Sequence, residues 1–89
     1  MENFPYLKNL EVALMRSDAL TGHLLDDKCV LALNDAQKVY TIFNDIQLAL
    51  KYADSIISTK VNIECVIYGK NQEVIHYLSS RNIKLLLIL

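Results

Sequence analysis

The chain has 89 residues, a formal net charge of −1 and 53% hydrophobic residues. That length holds one compact domain with a modest core, and the apolar share excludes an intrinsically disordered chain. Near-neutral charge with scattered Lys and Arg excludes an electrostatic grip on nucleic acid, which needs a basic stripe along the phosphates.

The longest apolar run, residues 85–89, falls far short of the roughly 20 residues of a membrane span. The opening residues carry neither a charged n-region nor an apolar h-region. A cytoplasmic protein without membrane or nucleic-acid partners is expected. Cys29 and Cys65 are too few for a disulfide framework, no CxxC occurs, and His23 and His76 lie far from both in sequence. No metal site and no cofactor is therefore expected.

In residues 1–27, Leu7, Leu10, Leu14 and Met15 suit one helical face, whereas Leu10, Val12 and Leu14 also alternate as a strand would. The Leu, Ala, Met and Glu content favours helix, and residues 18–22 begin a second short helix that Gly22 ends. Residues 28–33 form a continuous apolar run, the pattern of a strand covered on both faces. Asn34 then caps a helix, with Gln37 placed to answer it three residues on. That helix is expected over 35–57, its inner face formed by Val39, Ile42, Phe43, Ile46, Leu50 and Ala53.

Residues 61–68 read as a second strand, with Val61, Ile63, Cys65 and Ile67 on one face and Gly69 as its stop. Asn71 can cap a helix over 72–80 that turns Val74, Ile75 and Leu78 inward. Residues 83–89 read as a third strand. The sum is a single domain, 1–89: an N-terminal helical extension, 1–27, and a β-α-β-α-β unit, 28–89. It predicts a small three-layer α/β fold with a short parallel sheet of about three strands, in the order 2-1-3, joined by right-handed crossovers.

In open parallel sheets, ligands sit outside the C-terminal strand ends. Asn34 and Asp35 follow the first strand, and Gly69, Lys70 and Asn71 follow the second, so these five are candidate contacts for an anionic ligand at the helix N-termini. Neither a Walker A pattern nor G-x-G-x-x-G supports them, and ordinary cap and loop roles weigh more heavily. Cys29 and Cys65 are the candidate reactive thiols. Glu64 and burial would raise the Cys65 pKa and make it inert, while Lys28 leaves Cys29 more open.

The stretches KCVLALND (28–35), KVYTIFNDIQLAL (38–50) and VNIECVIYG (61–69) resemble the DsrE/DsrF-like family over residues 28–89. Asn44 and Leu48 fall where the family's helix pattern expects them, and Gly69 matches its strand-ending glycine. The resemblance implies a doubly wound α/β fold, oligomeric assembly and, in many members, sulfur relay through a cysteine beyond the third strand. The sequence stops at Leu89, so that cysteine has no counterpart, and neither Cys29 nor Cys65 inherits its role.

The expected function is therefore a non-catalytic DsrE-like module acting by self-association or by binding a protein partner. Two rivals stand beside it. One is sulfur relay or thiol redox at Cys29 or Cys65. The other is anionic-ligand binding at the strand ends.

Overall fold

The computed structural model describes residues 2–60 and 62–80. Five strands and one helix follow in the order β1 (Val12–Asp18), β2 (Leu24–Leu25), β3 (Tyr40–Phe43), α1 (Ile46–Thr59), β4 (Ile63–Tyr68) and β5 (Val74–Leu78). All pairings are antiparallel. β1 is the spine of the sheet. β4 runs along one edge of it, and the other edge is shared by β3, against Val12 to Met15, and β2, against Arg16 and Ser17. β5 lies beyond β4 and pairs with it.

This overturns the parallel α/β expectation. Successive strands here are joined largely by turns and loops, and α1 lies between β3 and β4. Antiparallel pairing needs no crossover helix, so one helix can cover one face and leave the other to lighter cover.

α1 packs on one face through Ala49, Ala53 and Ile57, all at most 1% exposed. Two alanines on the inner stripe let the helix approach Leu14, Cys65 and Ile67 closely. Its start is fixed by Asp45, whose carboxylate accepts the Leu48 amide at 3.0 Å. The expected helix over 35–57 thus loses nearly its first half, residues 35–45. Tyr40, Thr41, Ile42 and Phe43 are aromatic or β-branched, favour extended backbone and form β3 instead.

Other expectations are corrected in the same way. The N-terminal helical segment is absent from the described residues; residues 12–18 take the alternating option as β1. Residues 18–22 are not a helix but the β1–β2 turn, closed by Gly22 N–H to the Asp18 carbonyl at 2.7 Å, with Gly22 at φ 78°. The run 28–33 is a loop, touching the sheet only where Leu31 bridges Leu25. The helix over 72–80 is replaced over most of its length by β5, because a tight hairpin at 69–73 sends the chain back along β4. The strand expected over 61–68 exists as β4, with Ile63, Cys65 and Ile67 buried on one face. The strand expected over 83–89 lies outside the described residues.

The opposite sheet face is covered by the N-terminal segment. Phe4 packs edge-on against Tyr40 and Tyr68, with ring centroids 5.3 and 5.8 Å apart. One Glu2 carboxylate oxygen accepts from the Val39 and Tyr40 amides, each at 3.0 Å.

Candidate functional site

Under α1 the sheet buries a cation. Arg16 is wholly inaccessible. Its Nε donates to the Asp26 carbonyl at 2.8 Å, one terminal nitrogen to Thr41 Oγ1 at 2.9 Å and Tyr52 Oη at 3.1 Å, and the other to the Val39 carbonyl at 3.2 Å. The Tyr52 ring lies 5.8 Å from the guanidinium carbon. Among the described residues, none of these acceptors is a carboxylate, so the charge is solvated by neutral oxygens drawn from three separate stretches of chain. A groove of about 480 Å³ opens above, lined by Thr41, Tyr52, Tyr40 and Lys38, with Glu2 and Asp27 at its rim. Arg16 does not reach it, and the two carboxylates disfavour an anion there.

Both cysteines lie near this cation. Cys65 stands opposite Arg16 in the β1–β4 ladder. The Cys29 amide donates at 3.0 Å to the same Asp26 carbonyl that takes Arg16 Nε. Burial pushes the Cys65 thiol up to about 11, against a downward pull from Arg16. A closed, protonated thiol is a poor nucleophile at neutral pH. Cys29 is half-buried, at a left-handed φ of 62° in the 26–31 loop.

The five strand-end candidates are scattered by the fold. Asn34 and Asp35 sit in an exposed turn, where Asn34 Oδ1 accepts the Ala36 amide at 2.9 Å. Gly69, Lys70 and Asn71 form the β4–β5 hairpin. There the Gly69 amide donates to the Glu73 carbonyl at 2.9 Å, and the Asn71 amide to Glu73 Oε1 at 2.9 Å. A Cβ at Gly69 would meet the Glu73 carboxylate, the far end of a flexible side chain. Neither group stands at the mouth of a parallel sheet, so the geometry that would have joined them around an anion does not exist. Among the described residues, no cluster of three or more His, Cys, Asp or Glu side chains is arranged for a metal ion, and no helix is long and apolar enough to cross a membrane.

What sequence reasoning missed is the outer edge. Four of the five β5 residues are exposed, with Val74 at 59%, Ile75 at 43% and Tyr77 at 48%. The β4–β5 register slips at Ile67/Tyr68: Ile67 faces His76 and Tyr68 faces Val74, leaving Ile75 without an opposite residue. Such a bulge re-aims a side chain. Ile75 joins Leu10, Val12 and Ile46 in lining a slot of about 350 Å³ beside the hairpin. Glu11, Asp45 and Glu73 line it too, with Lys70. The signal for the strand was there in Val74, Ile75 and Tyr77, β-branched or aromatic residues directly after a glycine-led turn.

No protein-family model, no curated protein and no solved structure matches the chain.

Proposed function

We propose that the chain works by binding, as a small interaction module that takes an extended segment of another protein chain along β5. One observation carries this reading: β5 holds no Lys, Arg, Asp or Glu, and Val74 and Ile75 stand 59% and 43% exposed on the strand next to β4. Edge strands of this kind template further pairing, and proteins that avoid it place Lys or Pro there. β5, Val-Ile-His-Tyr-Leu, has neither. A second copy presenting its own β5 is one such partner, and light scattering over a dilution series detects that case.

The test is fluorescence anisotropy with labelled hexapeptides that alternate valine or leucine with serine. Binding to the wild type, lost by about tenfold or more in the Ile75→Lys/Tyr77→Lys variant with its circular dichroism unchanged, is the expected result. Equal binding to both proteins, or to neither, overturns the reading.

A further inference from the structure

We infer that residues 2–7 form an exchangeable arm: two copies of the chain dimerise by trading these segments, each arm filling on its partner the place it fills here on its own sheet. β5 takes no part in this contact.

The arm is held by side chains. One Glu2 carboxylate oxygen accepts the Val39 and Tyr40 amides, each at 3.0 Å, Phe4 packs edge-on against Tyr40 and Tyr68, and Leu7 is 1% exposed. Among the described residues, no backbone–backbone hydrogen bond ties residues 2–7 to the sheet. Each of these contacts can be made by the same segment of a second copy. Closed monomer and exchanged dimer therefore share them, and differ at the joint between arm and sheet.

That joint is strained. Residues 8–11 form a tight turn, in which the Glu11 amide donates to the Lys8 carbonyl at 3.1 Å and the Lys8 amide to the Glu11 carboxylate at 2.7 Å. Leu10 stands at its third position with φ 72°, a left-handed backbone that suits glycine and not leucine. Its side chain is 84% exposed, so packing returns little of that cost. β1 begins at Val12, so a turn opened to extended backbone continues an existing strand, relieves Leu10 and carries the arm away from its own sheet. Opening gives up the exposed Lys8 bond to Glu11 and the exposed Lys70 bond to Asn9, which water replaces. A short connection strained in the closed form is the condition that invites exchange.

Light scattering across a dilution series of the full chain should find a monomer–dimer equilibrium set by residue 10. Leu10→Gly makes the closed turn comfortable and should weaken the dimer by about tenfold or more. Leu10→Pro cannot take a positive φ and pushes Asn9 towards extended backbone, so it should strengthen the dimer. Ile75→Lys/Tyr77→Lys should leave the equilibrium unchanged; a dimer lost in that variant belongs to β5 and overturns the exchange. Photoreactive benzoylphenylalanine in place of Phe4, in an equal mixture of isotopically heavy and light chains, identifies the sheet each arm covers. Irradiation should join position 4 to a peptide holding Tyr40 or Tyr68 of the other copy. Crosslinks confined to one chain overturn the exchange, as does a wild type that stays monomeric beside a folded, monomeric Leu10→Pro. If circular dichroism shows Leu10→Pro unfolded, the wild type and Leu10→Gly decide: equal dissociation constants, or no dimer of either, overturn it.

Discussion

Arg16 and Tyr52 meet across the sheet–helix interface, guanidinium to phenol oxygen at 3.1 Å, with the same ring 5.8 Å from the charge. The tyrosine is the one acceptor for that cation supplied by α1; the others come from the 26–39 loop region and β3. One side chain on β1 therefore ties the helix, a loop and a neighbouring strand together. Buried polar networks of this kind stabilise one arrangement only when every member is satisfied, and among the described residues no buried side-chain nitrogen or oxygen lacks a partner.

Removing either end of this contact should be costly in a graded way. Tyr52→Phe deletes one bond to a charged donor and should lower stability by about 1.5–3 kcal/mol. Arg16→Ala takes this donor from the Val39 carbonyl and two hydroxyls, leaves the Asp26 carbonyl with the Cys29 amide alone, and opens a void, so a loss of about 3 kcal/mol or more is expected. Urea unfolding of both variants measures this. An Arg16→Ala cost below that of Tyr52→Phe would contradict the tying role.

Alkaline pH should loosen the fold. Burial holds the Cys65 thiol up at about 11, from an ordinary 9.0. Burial also raises the Tyr52 and Tyr40 hydroxyls, and a hydrogen bond with Glu64 raises Tyr77. Each folded-state value lies above its unfolded one, so each contribution is whole below the ordinary pKa and is lost as pH rises through the folded value. For the thiol the window runs from about 9 to about 11. The melting temperature should fall across it, and less steeply in Cys65→Ala. Native iodoacetamide labelling near pH 8 should spare Cys65, reacting there only after denaturation; fast native reaction at Cys65 would contradict its burial.

Much of the middle of the fold was legible, and the ends of elements were not. Ile63, Cys65 and Ile67 alternate cleanly, and β4 follows them. The helix was legible in its second half only: of its expected inner face, Ala53 is buried, Ile42 and Phe43 belong to β3, and Ala49 and Ile57 complete the buried stripe instead. Val74, Ile75 and Leu78 also fit a helical face, and there the hairpin decided the outcome: once Gly69 and Glu73 close a turn, the chain is already beside β4, and pairing outweighs spacing. The run 28–33 misled for a related reason. Its apolar residues promise a strand, yet the Asp26 carboxylate accepts the Lys28 and Val30 amides and turns the backbone before a ladder can form. Arg16 was invisible, since nothing in Leu14, Met15, Arg16 and Ser17 marks a cation as buried. The exposed face of β5 is hidden from the sequence because the spacing of Val74, Ile75 and Leu78 also suits a helix.

Asp26 organises that loop, and acid should release it. Gln37 Nε2 donates to one carboxylate oxygen at 2.8 Å, and the Lys28 and Val30 amides donate to the other, each at 2.9 Å. The Gln37 bond, then the Val30 amide, hold the carboxyl below its ordinary 3.8. A lowered folded-state pKa gives stability that is whole above the ordinary value and is lost as pH falls through the folded one. Stability should therefore decline as pH drops below about 3.8, and Asp26→Ala should remove this step. It should also lower stability at neutral pH, because two amides and Gln37 lose their acceptor. Urea midpoints at pH 7 and along an acid series would show it; an unchanged acid limb in Asp26→Ala would refute the assignment.

Leu10 carries a backbone cost that glycine would lift. Its left-handed backbone, φ 72°, costs a leucine about 1–2 kcal/mol, a penalty glycine does not meet. Glycine in turn loses more freedom on folding, so Leu10→Gly should leave stability unchanged or raise it by up to about 1 kcal/mol. The Leu10 side chain is 84% exposed, so its removal takes little buried surface with it. Urea unfolding of the wild type and of Leu10→Gly measures the balance. A loss of more than about 1 kcal/mol in Leu10→Gly would mean that the leucine side chain serves the fold and outweighs the relief of its backbone.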